Sequence, residues 1–191
     1  MSKGGAKRIR IGIIGANPDR GWAAQAHIPA LRSLGDDFEI TALSTTRRES
    51  ADAASKLFGV PVAFDNHQDL VSNPAVDVVA VTVKVPYHLE LATAALKAGK
   101  AVYCEWPLGN GLKEAETLAA LAKKQGVVAV AGLQARSAPA VAYVRDLVEQ
   151  RPAPGSSFED LQTLPNSRTS KRDEGERAER WFALFAVRRC G

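Results

Sequence analysis

Apolar and polar positions along the first 150 residues alternate between two periods. Short apolar runs of strand length are separated by segments with helical spacing, the signature of βαβ units around a parallel sheet. The pattern predicts strands at residues 8–14, 38–44, 62–64, 76–83, 101–104 and 127–131. It predicts helices at residues 21–34, 49–58, 66–72, 87–98, 111–125 and 139–149. The run Val-Asp-Val-Val-Ala-Val-Thr-Val at 76–83 is nearly all apolar and β-branched, as a strand covered on both faces requires. Leu112, Ala115, Leu118, Ala119 and Ala122 recur on one helical face. The expected fold class is α/β, a doubly wound parallel sheet with an irregular C-terminal tail.

The pattern breaks near residue 150. Between residues 151 and 180 the only large aliphatic or aromatic residues are Phe158, Leu161 and Leu164. So little apolar surface cannot offset the entropy of ordering the segment. Residues 181–187 are apolar but too short for a core. The expected organisation is a disordered N-terminus at 1–6, a folded domain at 7–150 and a low-order tail at 151–191. A shifted reading frame would account for the change in composition at the tail.

Composition narrows the class. Apolar residues make up 46% and charged residues 24% of the 191, the balance of a globular protein. No apolar run approaches the roughly 18 residues of a membrane span, and no signal-peptide pattern opens the chain. The two cysteines, Cys104 and Cys190, exclude a disulfide framework, so a reducing, cytoplasmic location is expected. The net charge of +4 comes from interleaved acids and bases, which argues against direct nucleic-acid binding.

In a doubly wound sheet, ligands bind beyond the carboxyl ends of the strands. The first such loop runs from Gly12 through Gly15, Ala16, Asn17, Arg20 and Trp22. Glycines allow close approach to a phosphate, and the helix that follows offers free N–H groups. Strict G-x-G-x-x-G spacing is absent, because Asn17 stands where the second glycine belongs. A plain glycine-rich turn is the alternative. The second strand ends in Ser44, Thr45, Thr46 and Arg47, followed by Arg48, with no carboxylate to claim a ribose 2′-hydroxyl. Hydroxyls and a guanidinium suit a 2′-phosphate, which points to NADP, with NAD as the alternative. The bland reading is a capped helix with both arginines in solvent. After the fourth strand, Lys84 and His88 are the best-placed titratable groups. Both are candidate cofactor contacts as well as the candidate catalytic pair, with Lys84 read as a charge near the cofactor ahead of an acid–base group. His88 can equally serve to pack or cap. His27 and His67 are expected to be structural. No Cys/His set has metal-ligand spacing, and no nucleophile elbow is present.

The run from Ala94 to Leu108, Ala-Ala-Leu-Lys-Ala-Gly-Lys-Ala-Val-Tyr-Cys-Glu-Trp-Pro-Leu, resembles the A-L-x-A-G-K-x-V-x-x-E-K-P pattern of the Gfo/Idh/MocA oxidoreductases. The opening Ile11-Gly12-Ile13-Ile14-Gly15, with His27 and Ala30-Leu31 downstream, is similar too. The resemblance covers about residues 7–150 and implies a Rossmann NAD(P)-binding domain, normally followed by a larger α/β domain with the substrate residues. It adds Val83, Glu105, Trp106, Pro107 and Gln134 to the expected cofactor site. Trp106 stands where the family has a lysine that is often catalytic, and the phosphate loop is longer than the family pattern. Both departures resemble the subgroup of the fungal galactose-pathway transcription inhibitor. Two readings are therefore expected. One is a sugar or polyol oxidoreductase reduced to its nucleotide-binding domain, inactive alone, with a sugar-like substrate only in the full-length protein. The other is a non-catalytic dinucleotide-binding regulator with a protein partner.

Overall fold

The computed structural model describes residues 7–133, 136 and 138–149. The expectations for residues 1–6 and for the tail at 151–191 lie outside these. The described residues fall into two units, divided after Gly132.

The first unit is built on six strands: β1 (Ile9–Ile14), β2 (Phe38–Ser44), β3 (Val62–Phe64), β4 (Val78–Val81), β5 (Ala101–Glu105) and β6 (Ala129–Gly132). All neighbours pair in parallel, in the order β3-β2-β1-β4-β5-β6. This is the strand order of a dinucleotide-binding Rossmann sheet, with its switch point between β1 and β4. The chain is thus an α/β doubly wound protein.

The helices are α1 (Ile28–Ser33), α2 (Arg48–Phe58), α3 (His67–Ser72), α4 (His88–Lys97) and α5 (Leu112–Gln125). In the second unit, α6 (Pro139–Glu149) follows. Leu70, Leu91, Leu96 and Leu118 from α3, α4 and α5 pack with Ile14, Val79, Val81, Val102 and Cys104 of the sheet. Ile11 and Ile13, on the alternate face of β1, are buried as well, as are Ile28 and Leu31 of α1. Each such side chain contributes roughly 1.5–3 kcal/mol by leaving water. Burial on both faces explains why the central strands read as apolar runs rather than alternating ones.

Three elements differ from the sequence expectation. The helix expected at 21–34 starts later, as a π-helical turn at Ala23–His27 that runs into α1. Pro29, in the first turn of α1, has no N–H to donate backwards, so the ladder is interrupted there. The strand expected at 76–83 shortens to Val78–Val81. Val76 enters a turn to Asn73, and Thr82 bends away with its N–H and hydroxyl both on the Ile14 carbonyl. The helix expected from 87 is preceded by a 3₁₀ turn at Val85–Tyr87, seeded by Pro86.

Candidate functional site

The loops after β1 and β4 part at the switch point, and a cavity of about 810 Å³ opens between them. Such a volume lies in the range of small-molecule and cofactor sites. Gly15 forms its floor. Its φ is +96°, and a Cβ there would lie 2.6 Å from Val83 Cγ1 and 2.7 Å from the Thr82 carbonyl oxygen. Only glycine lets the two loops approach this closely. The Gly15 N–H donates to Ser44 O at 2.9 Å, and Asn17 Oδ1 accepts from the Asp19 N–H at 2.9 Å in an Asx turn. Asn17, Arg20, Gly21 and Trp22 form one wall.

The end of β2 supplies Ser44, Thr45 and Thr46 to the lining. Ser44 is buried, whereas the Thr45 hydroxyl donates to Arg47 O at 2.9 Å and lies 2.6 Å from Ser50 Oγ. Thr45 therefore also fastens the start of α2. Arg47 sits at that helix boundary in extended conformation, exposed and off the cavity lining. Arg48 bonds Asp52 one turn on and the Ala63 carbonyl at 3.0 Å. The bond to Asp52 raises the Arg48 guanidinium and lowers the Asp52 carboxyl.

From the β4 side, Val83, Lys84 and Tyr87 reach the cavity. His88 does not. It is buried, with Nδ1 2.8 Å from Pro107 O and Nε2 2.9 Å from Val83 O, so its ring ties the β4 and β5 loops together. At the end of β5, Glu105 lines the cavity with Oε1 2.8 Å from Nε2 of the buried His27. The His27 ring stands edge-on to Tyr103, centroids 5.4 Å apart. Burial first, then the Glu105 charge, pushes the Tyr103 phenol and the Cys104 thiol each up to about 12. Both groups therefore stay protonated near neutral pH. Trp106 is 63% exposed beyond them.

Of the expected residues, the structure brings Gly15, Asn17, Arg20, Trp22, Ser44, Thr45, Thr46, Val83, Lys84 and Glu105 together on one cavity. Gly12, Ala16, Arg47, His88, Trp106 and Pro107 lie off its lining. Gly12 instead faces α3 and the turn before β4: a Cβ there would meet Leu70 Cδ2 at 2.9 Å and Val76 Cγ1 at 3.0 Å. Gln134 lies outside the described residues. Sequence reasoning missed Asp65, Asn66 and His67, which follow β3, and Glu90 and Leu91 of α4. The rule that selects loops at carboxyl strand ends applies to β3 as well and would have found the first three. His67, expected to be structural, has Nε2 3.9 Å from Glu90 Oε1 at the cavity. Among the described residues no His/Cys/Asp/Glu cluster could hold a metal, and no helix is long and apolar enough to cross a membrane.

The donor set fits a dinucleotide. A glycine floor allows backbone approach to a pyrophosphate, hydroxyls stand at the β2 end, and Arg20 and Lys84 are the cations of the lining.

Comparison with known proteins agrees with this geometry. The Gfo/Idh/MocA family model, described as "Oxidoreductase family, NAD-binding Rossmann fold", matches residues 9–133. Dehydrogenase aclE of Aspergillus oryzae is 40% identical over 148 residues, 75% of this chain and 40% of that protein. The galactose/lactose metabolism regulatory protein GAL80 of Saccharomyces cerevisiae is 29% identical, across 76% of this chain and 35% of its own length. The crystal structure of KijD10, a 3-ketoreductase from Actinomadura kijaniata in complex with NADP, superposes with a TM-score of 0.68 at 29% identity. That match covers 75% of this chain and 44% of KijD10. The chain thus spans less than half the length of each of these relatives.

Proposed function

The chain belongs to the Gfo/Idh/MocA oxidoreductase family, and from that premise we propose that it holds a nicotinamide dinucleotide across the carboxyl ends of β1 and β4. The observation that carries this reading is the single cavity joining the Gly15 loop, the hydroxyls after β2 and the Val83–Lys84 segment. The pyrophosphate would lie over Gly15 and Asn17. The adenosine ribose would lie at Ser44–Thr46, and the nicotinamide toward Lys84 and Glu105. When bound, the nicotinamide supplies the hydride-transfer capacity that this protein chemistry lacks. The nucleotide-binding domain is taken to run over residues 7–150.

NADP is the preferred cofactor in this reading. No carboxylate ends β2, and Arg47, exposed at the start of the helix that follows β2 and in no ion pair among the described residues, is the cation assigned to a 2′-phosphate. Arg48 is committed to Asp52 and contributes little. Calorimetric titration at one fixed salt concentration tests the reading. Binding of both cofactors with NADP tighter supports it; absence of binding contradicts it.

The activity of the whole protein is a second level of proposal. A sugar or polyol oxidoreductase needs a positioned acid or base at the reacting hydroxyl. Lys84 and Tyr87 line the cavity and could serve, while His88 is occupied by two carbonyls and acts by holding loops. The exposed Trp106, where the family resemblance expects lysine, favours the regulatory reading, in which cofactor binding is sensed by a protein partner without turnover.

A further inference from the structure

The rule that places the cavity at carboxyl strand ends also brings in a carboxylate from an unexpected strand. Phe64, the last residue of β3, pairs in register with Ser44, the last residue of β2. The Thr45 N–H then donates to the Phe64 carbonyl at 3.1 Å. The chains therefore leave the sheet side by side, about one strand spacing (~4.8 Å) apart, with Thr45 and Thr46 on one and Asp65 on the other. All three line the cavity.

Asp65 is held in place. Asn66 Nδ2 donates to Asp65 Oδ1 at 3.2 Å, while Asn66 Oδ1 caps α3 by accepting the Asp69 N–H at 2.8 Å. Arg48, the neighbouring cation, bonds Asp52 and the Ala63 carbonyl; Asp65 makes no ion pair among the described residues, although its charge acts on the Arg48 guanidinium from a greater distance. Asp65 thus keeps an exposed carboxylate on the cavity lining it shares with Thr45 and Thr46.

We propose that Asp65, supplied by β3, takes the discriminating role that an acid at the end of β2 has in NAD-binding sheets. Its carboxylate accepts a ribose 2′-hydroxyl and repels a 2′-phosphate. The proposal rests on the dinucleotide reading above. It sets Asp65 against Arg47, so that cofactor preference is a balance of two exposed charges from different strands. Because both are solvated, the balance is moderate and weakens with salt.

The test is calorimetry of NAD and NADP with the full chain, with Asp65→Asn and with Asp69→Asn, at low and high salt. Asn keeps the Oδ1 that accepts from Asn66, so the loop is preserved. Asp69 lies off the cavity lining and controls for net charge; its Oδ2 accepts from the same Asn66 Nδ2 at 2.8 Å, and asparagine keeps an oxygen for that bond. Asp65→Asn should raise the NADP-to-NAD affinity ratio about fivefold at low salt, with a smaller change at high salt. Asp69→Asn should leave the ratio unchanged. An unchanged ratio in Asp65→Asn, or an equal rise in Asp69→Asn, overturns the proposal while leaving dinucleotide binding intact. Failure of the unmodified chain to bind either cofactor overturns the underlying reading and this one with it.

Discussion

At Gly15 a single missing methyl group sets the distance between two loops. A Cβ would press on Val83 and the Thr82 carbonyl, and the residue sits at φ +96°, so Gly15→Ala carries both a clash and backbone strain. We expect it to lower stability by about 1–3 kcal/mol and to weaken cofactor binding more than tenfold, read by thermal unfolding and calorimetry. The adjacent arginines should separate in the same assays. Arg47→Ala should cost about tenfold in NADP affinity with little effect on NAD, the worth of one charge-assisted phosphate contact. Arg48→Ala should leave both nearly unchanged, because its guanidinium is spent on Asp52 and Ala63. Equal losses for the two variants would show that the arginines act only as general positive charge. The glycine and the hydroxyls were legible in the sequence because each is tied to a strand end. The Arg48–Asp52 pair was legible as an i,i+4 spacing, whereas the bonds of Arg48 to the Ala63 carbonyl and of His88 to the Pro107 carbonyl were not, because only the fold brings those carbonyls near.

Elements were legible where local chemistry and burial agree. The strands at Phe38–Ser44 and Val62–Phe64 and the helix at Pro139–Glu149 form as the pattern predicts. The departures sit where backbone geometry is tertiary. The π-helical entry to α1 and the early end of β4 both adjoin the cavity, and neither has a periodicity that distinguishes it from ordinary helix or strand. At the opposite end of the sheet, Arg10 clamps Asp77 through its side chain and its N–H, at 2.6–2.9 Å. The Arg10 side-chain hydrogen bonds, foremost, hold the Asp77 carboxyl below its ordinary value. A carboxyl depressed in the folded state stabilises above its unfolded value, near 4, and that contribution fades as pH falls toward the folded value. Asp77→Asn should therefore lower the thermal midpoint at pH 7 and flatten its decline on acidification below about pH 4. A mutant with the parent's acid dependence would show that other carboxylates govern it.

Across the whole molecule, the strand order turns separate loops into one cavity, and the family match over residues 9–133 covers the strands and loops that form it. Trp106 in place of the expected lysine leads us to expect cofactor binding without sugar or polyol dehydrogenase turnover in this chain. Cofactor reduction above background on a polyol panel, lost in Lys84→Ala, would contradict that.

The central claim is the location of the dinucleotide, and backbone amide NMR during NADP titration tests it most directly. The account predicts saturable shifts at Gly15, Asn17, Thr45, Thr46, Val83 and Lys84, with Arg10, Asp77 and Lys100 at the amino ends of the strands unmoved. Shifts centred on those amino-end residues, or none at saturating NADP, would contradict it.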